Sequence, residues 1–447
     1  MAFPQTPLVV TIELFLEGAW VDISDDVYLR NRIQITWGRQ DWAATADTTK
    51  CQLTINNRLG KYTPKNTASP HYGQLGRNTK IRITVDSSVR FEGRVSSWPT
   101  RWDVSGKDVY VGVQANGVRR RLSQGVPPVR DPLRRFIEAS APLAYWPMTD
   151  GEDARQGSEI VGGGQPIRAI GTAGSFFQGQ PGWGKGTLAT WLDAAVELPS
   201  GTTGRLTTTV RPQALDAWAA DHFRNGVGGT EDDFAAFDNG EGTNADPVKG
   251  WIIAADATTN VVELRLLSAG ETITTLTTLA TVSNPGIFDL SPHMLRVTAA
   301  RNGGSTDWTL VIDGVTRASG TQAVAFRPPL RLRYRWGQFT GLPEAMQLGH
   351  IAYWETPPDA TDTYQALLGH ARELAGRRIE RLCAEQGVPL AVHGNLDQTP
   401  PMGPQRSGSF LDLLQSAADV DGGVLHESRD VAGLAYRTQR SKYNQGV

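Results

Sequence analysis

In one short run after another along this chain every second residue is apolar, and that period constrains the fold more than any other feature. Val10, Ile12 and Leu14 alternate with polar neighbours, as do Ile33, Ile35 and Trp37, then Cys51, Leu53 and Ile55. The pattern repeats at Ile81, Ile83 and Val85 and again at Val109, Val111 and Val113. Side chains of an extended backbone point alternately to opposite faces, so each set predicts a half-buried strand. Short strands separated by Gly, Asn, Asp and Pro predict a β barrel or sandwich over residues 1–140, with a short helix near its end. That helix opens at Asp131-Pro132, an N-cap aspartate followed by proline at the first helical position, and carries Leu133, Phe136 and Ile137.

Strands return from Ala144 to about Glu355 with more Gly, Thr, Ala and Trp. Val262, Leu264 and Leu266 alternate, as do Leu295, Val297 and Ala299, while Trp308, Leu310 and Ile312 run into Asp313-Gly314, a strong hairpin signal. Residues 141–357 are therefore expected to form a second all-β domain, a sandwich of two broad sheets. After Pro357-Pro358 the period becomes helical, with Tyr364, Leu367, Leu368, Ala371, Leu374, Ala375, Ile379, Leu382 and Cys383 on one face. A second helix starts at Ser409, with Asp412 as its capping partner, and stops at Gly422-Gly423. Val424–His426 and Leu434–Tyr436 then predict a closing hairpin. Residues 358–447 are too few and too mixed to stand alone, so this α+β segment is expected to fold onto the first domain, leaving 141–357 as an insertion. The fold class is mainly β.

Composition narrows the function. With 44 basic and 46 acidic residues there is no global pull toward nucleic acid or a membrane surface. The opening MAFPQTPLVVTIELFLEG has no basic n-region, and no apolar stretch is long enough to span a bilayer. Cys51 and Cys383 lie far apart and are expected to be buried free thiols of a chain made in a reducing cytoplasm.

Motifs for chemistry are sparse. GQPGWGKGT, residues 179–187, has Gly186 where a phosphate loop needs Ser or Thr, and is expected to be a plain loop. There is no H-E-x-x-H, no C-x-x-C and no G-x-S-x-G, so an enzyme is not expected. The acidic run 230–246 offers Asp232, Asp233, Asp238 and Glu241 as calcium ligands, although its spacing departs from the EF-hand and favours a solvated loop. No other cofactor is expected. A flat aromatic face suits a pyranose ring, and Trp218 and Trp251 lie beside irregular polar stretches. They are the carbohydrate-binding candidates, with Asp238 and Asn239 as polar partners, and burial stands first even for them. Arg119–Arg121 and Arg134-Arg135 form a local basic patch, expected to be solvated or to face another subunit.

Three passages resemble a known family. WVDISDDVYLRNRIQITWGRQDW, CQLTINNRLGKYTPKN and SPHYGQLGRNTKIRI are similar to the N-terminal domain of minor tail proteins of long-tailed actinobacterial phages. LAYWPMTDG, LGHIAYWE and HMLRVTAARNGGSTDWTLVIDGVTRASG resemble strands of concanavalin A-like (laminin G-like) lectin sandwiches. GRRIERLCAEQGV and SFLDLLQSAADVDGGVLHES resemble the helical part of the hub. The resemblance implies a baseplate-hub-like protein at the tail tip of a virion, a homotrimer on the tail axis. Its implied partners are the distal tail, the tail tube and further tip proteins, with host cell-wall glycan as the ligand of the sandwich. Asn57, Arg58, Lys61 and Tyr62, in the polar loop after the strand at 51–56, are the implied subunit contacts. Members of the family commonly continue past AYRTQRSKYNQGV, so a truncated or short form is expected. The sandwich also hosts glycosidases, whose Glu-x-Asp-x-Glu strand this sequence lacks. A spacer without ligand is the third reading.

Overall fold

A computed structural model describes residues 8–38, 46–124, 127–170, 179–229, 232–238, 250–267, 276–337 and 345–443. The chain divides into two units. A split unit takes the chain up to Val129, then Arg372–Met402 and the chain from Gly408 on; a sandwich unit takes Arg130–Ala371 and Gly403–Ser407.

The split unit begins with eight strands: β1 (Val10–Leu16), β2 (Ala19–Asp22), β3 (Gln34–Gly38), β4 (Asp47–Asn56), β5 (Lys80–Val85), β6 (Ser88–Ser97), β7 (Thr100–Trp102) and β8 (Val109–Asn116). They pair antiparallel in the order β2-β1-β5-β6-β8-β4-β3, with β7 beside β8. Alternation does its expected work: Ile12 and Leu14, Cys51, Leu53 and Ile55, Ile81 and Ile83, and Val111 and Val113 all enter one core. Ile23 N–H donates to the Ile12 carbonyl at 2.8 Å, and Val27 bridges Ile55. The segment between β2 and β3 thus reaches from β1 to β4, strands that are not neighbours, and the sheet is curled around its core. A short helix α1 (Val118–Leu122) follows. Arg119 in it is buried, its guanidinium donating to the Leu425 carbonyl at 3.3 Å, so this part of the basic patch is not solvated.

The sandwich unit opens with α2 (Pro132–Ala139), where the Asp131 carboxylate accepts from the Arg134 N–H at 2.9 Å. Sixteen strands follow in chain order: β9 (Ala144–Trp146), β10 (Gln156–Gly157), β11 (Ile167–Ile170), β12 (Gly182–Thr187), β13 (Ala194–Leu198), β14 (Thr203–Thr209), β15 (Ala217–Asn225), β16 (Asp232–Phe237), β17 (Gly250–Asp256), β18 (Val261–Leu267), β19 (Leu276–Ser283), β20 (His293–Asn302), β21 (Ser305–Ile312), β22 (Val315–Gln322), β23 (Arg331–Gly337) and β24 (Met346–Trp354). One sheet runs β10-β11-β14-β23-β16-β17-β18-β19; the other runs β12-β13-β24-β15-β20-β21-β22, with β9 beside β24. Both contribute to one core, through Leu264, Tyr334 and Trp336 from the first and Trp218, Leu295 and Leu310 from the second. GQPGWGKGT falls largely on β12, an edge strand rather than a loop. Asp313 and Gly314 both adopt the left-handed conformation that a two-residue hairpin turn requires, as their sequence predicts.

β15 and β24 are buried at nearly every position, not every second one. A strand covered on both faces needs a second layer. That layer is α2 with α3 (Ala360–Leu367): Leu133, Ile137 and Leu367 cluster with Phe223, Met294 and Trp354 on the side of the sheet away from the main core. Both helices therefore belong to the sandwich unit, whereas the sequence boundaries at 140/141 and 357/358 leave them outside. Arg296 fixes the arrangement, donating twice to Asp221 (2.7 and 2.8 Å), once to the Pro358 carbonyl and once to Thr363.

The chain returns to the split unit with α4 (Ala375–Glu385), β25 (Leu390–His393), α5 (Phe410–Asp421), β26 (Val424–Glu427), β27 (Leu434–Arg437) and α6 (Gln439–Tyr443). The single helical face expected from Tyr364 to Cys383 is two helices, because Gly369, His370 and Arg372 all take positive φ between them. The Ser409 cap, the Gly422 stop and the β26–β27 hairpin form as the sequence predicts, and β25 adds a parallel strand that it does not. The Glu427 carboxylate accepts from Thr49 N–H at 2.8 Å and from Arg119 N–H at 2.5 Å. Gly117 leaves room for this seat, since a Cβ there would sit 1.9 Å from Glu427 Oε2 and displace the carboxylate. Cys51 and Cys383 are free and buried, and burial pushes both thiols up to about 12. Among the described residues no helix is long and apolar enough to cross a membrane.

Candidate functional site

The predicted carbohydrate residues do converge, but into a closed place. Trp218 of β15 and Trp251 of β17 come from opposite sheets and are 1% and 7% exposed. With Asp238 they line a crevice at one end of the core, whose volume of about 10 Å³ admits roughly one water. A pyranose ring does not enter, so the aromatic candidates are core residues. Both indoles alternate with neighbours that face away from the core, the ordinary reason for tryptophan on a strand. Asn239 lies outside the described residues.

The calcium candidates disperse. Asp232 and Asp233 are neighbours on β16 and so face opposite sides of the sheet. Asp232 accepts from Gly229 N–H at 2.8 Å and Gly337 N–H at 3.1 Å, and lies 3.6 Å from the buried Arg224 guanidinium. Burial raises its carboxyl above the usual range, with Arg224 and the two N–H groups opposing. Asp233 is held by Arg335 at 2.5 Å and Arg333 at 3.3 Å. Glu241 lies outside the described residues, and among those described no three His, Cys, Asp or Glu side chains come together as a metal site.

The loop after β4 also turns inward. Asn57 and Tyr62 are buried: Asn57 Oδ1 accepts from Tyr62 N–H at 2.8 Å, and Tyr62 Oη donates to Asp26 at 2.5 Å. Two of the four expected subunit contacts are thus internal braces of an ordered loop. Arg58 and Lys61 remain at the surface, paired with Asp108 and Asp26.

An open site does exist on the sandwich unit, on the outer face of β20, β21 and β22. It is a shallow groove of about 340 Å³ lined by Thr298, Asp307, Thr309, Ser319 and Thr321, with the small Ala300 on the same face. Register brings these together: Thr298 is opposite Thr309, Thr309 opposite Ser319, and Asp307 opposite Thr321. The Thr298 and Thr309 hydroxyls lie 2.6 Å apart, Thr321 donates to Asp307 at 2.6 Å, and Asn302 Nδ2 donates to the same carboxylate at 3.0 Å. The Thr321 and Asn302 bonds hold the Asp307 carboxyl below its usual range. Fixed hydroxyls around an ionised carboxylate suit a polyol, whose hydroxyls both donate and accept. Sequence reasoning passed over these residues because each is merely the polar partner of a core position. The available signal was their run of small hydroxyl side chains on successive strands.

No protein-family model and no curated protein sequence matches the chain. Solved structures that it matches include the receptor-binding domain of botulinum neurotoxin C/D mosaic serotype, at 9% identity and TM-score 0.36 over 54% of each chain. The binding domain of botulinum neurotoxin DC, in complex with rat synaptotagmin II, matches at 10% identity and TM-score 0.34 over 53% of this chain and 54% of that one. A legume lectin-like domain from Entamoeba histolytica matches at 13% identity and TM-score 0.29 over 36% of this chain and 84% of that one. The chain spans about half the length of the neurotoxin domains. Its own fold is assigned on the strand order and register described above.

Proposed function

We propose that this chain is a non-enzymatic virion component, a hub protein of a phage tail tip whose sandwich unit attaches to host cell-surface glycan. The chain path supports the reading: the split unit takes up the chain again at Arg372, after the body of the sandwich unit, as expected of a binding module spliced into a scaffold. The tail-tip part rests on the sequence resemblance, and the glycan part on the hydroxyl-lined groove over β20–β22. The trimer on the tail axis and contacts with other tail proteins belong to the same reading.

The test measures adsorption of the whole chain to purified actinobacterial cell walls, with an Asp307→Ala/Thr321→Val variant alongside. Retention by the parent and release of the variant, at equal melting temperature, is the expected result. Equal retention of both, or of neither, removes the glycan part. Mass in solution tests the hub geometry, which a strictly monomeric particle-derived protein contradicts. Walls incubated with the protein should release no soluble sugar above a heat-killed control.

A further inference from the structure

A second open surface lies on the split unit, on the face of its sheet turned away from the core. Between the buried Cys51, Leu53 and Ile55 of β4 stand Gln52 and Thr54, and between the buried Val111, Val113 and Ala115 of β8 stand Gly112 and Gln114. Gln34 of β3 is opposite Gln52, and Gln52 is opposite Gln114. Three amides thus form one row across three adjacent strands. Thr54 faces Gly112, and Tyr110 faces Arg101 of β7. With Arg32, just before β3, these residues line a groove of about 330 Å³.

Two features mark this groove. None of its polar side chains has a hydrogen-bond or ion-pair partner among the described residues, and the only charges lining it are the guanidiniums of Arg32 and Arg101. Elsewhere on the same sheet a cation is matched, as where Arg82 meets Glu13 at 2.8 Å. Gly112 forms the floor, for a Cβ added there would meet nothing within 4 Å. The space is left open, and no tight contact demands the glycine.

We infer that this groove binds an anionic sugar polymer. The amide row reads hydroxyls, since each glutamine both donates and accepts. The two arginines take a carboxylate or phosphate on the sugar, for which a guanidinium fork is shaped. A neutral glycan leaves both arginines unused, and a simple anion leaves the amides unused.

Titration calorimetry of the whole chain tests this with polygalacturonate, a phosphorylated mannan and neutral dextran. Binding of at least one of the two charged polymers is expected, weakening as salt rises, with no heat from dextran; which one binds identifies the anionic group. Arg32→Ala/Arg101→Ala should weaken it by at least about tenfold, the scale of a lost charge-assisted bond. Gly112→Val fills the floor without strain on the fold, and should abolish binding at unchanged melting temperature. Asp307→Ala, on the other unit, should leave it untouched, which separates this site from the one proposed for the sandwich. Dextran binding as well as the charged polymers, no binding of either charged polymer, or full binding by a folded Gly112→Val overturns the inference.

Discussion

The outer faces of two sheets, one in each unit, carry rows of small polar side chains, and they handle their hydrogen bonds in opposite ways. Over β20–β22 the groups satisfy one another: Thr298 with Thr309, and Thr321 and Asn302 with Asp307. Over β3, β4 and β8 the glutamines, with Arg32 and Arg101 beside them, have no hydrogen-bond or ion-pair partner among the described residues. The first surface is preorganised, with its acceptor already ionised and fixed, so little ordering remains when a ligand arrives. The second pays side-chain ordering on binding and in return can adapt to a chain of variable spacing. The tryptophan crevice of the sandwich unit has the most conspicuous aromatic lining in the sequence, yet its volume is only about 10 Å³. Aromatic content marks a core long before it marks a site.

The largest expected effect concerns where the sandwich ends. A fragment of residues 141–357 lacks α2 and α3 and uncovers Phe223, Met294 and Trp354. It should aggregate or lose its cooperative melt, whereas 130–371 should melt as one unit by calorimetry. Equal stability of the two would show that the helical layer is dispensable. Next comes the crevice itself. Trp218→Ala removes a buried indole and should cost ~3–5 kcal/mol in urea denaturation. Asp221→Ala strands the Arg296 guanidinium and should cost a similar ~3–5 kcal/mol. Neither should alter wall binding by the fraction that remains folded, while Asp307→Ala should do the reverse. Loss of binding in folded Trp218→Ala would restore the closed crevice as a site.

A smaller effect is read from pH. Burial, then the Arg224 charge, pushes His222 down from 6.5 to about 3. Its native value lies below the unfolded one, so its contribution is complete above pH 6.5 and drains as pH falls toward about 3. His350 behaves likewise, again through burial. His222→Phe keeps the stack on Phe234 and should flatten the acid limb by up to about 1.4 kcal/mol per pH unit. An unchanged slope between pH 6.5 and 4 would remove His222 from the acid response. The smallest effect is Lys61→Ala, which breaks a surface pair with Asp26 and should move stability by less than ~1 kcal/mol. A larger loss in particle assembly than in stability would return Lys61 to a contact role.

Much of this fold is legible in the alternation, because a strand with one buried face writes its register into the sequence. Ile12 and Leu14, Val111 and Val113, and Leu310 and Ile312 all face the cores that their period assigns. The helical layer is less so: Phe223, Met294 and Trp354 sit on strands buried on both sides, where alternation is lost. The break between α3 and α4 is hidden for another reason, since His370 and Arg372 carry no sign of the left-handed backbone they adopt. The sites are the least legible. Gln34, Gln52 and Gln114 become one row only through strand pairing, and Asp232 and Asp233 read as a charge cluster although the pleat parts them.

The seat of Glu427 has a consequence for the order in which the chain is made. Its partner Arg119 precedes it by 308 residues, so at about 5–20 residues per second the ribosome delivers the two roughly 15–60 seconds apart. Throughout that interval the curled sheet has emerged, with Gly117 and Thr49 facing an empty seat and the Trp37 ring not yet covered by Arg429. All of the sandwich unit's sequence, Gly403–Ser407 included, is made before Glu427. The Glu427 seat is therefore filled late, and a nascent chain stalled before β26 holds the whole sequence of the sandwich unit while Gly117 and Thr49 still lack this partner.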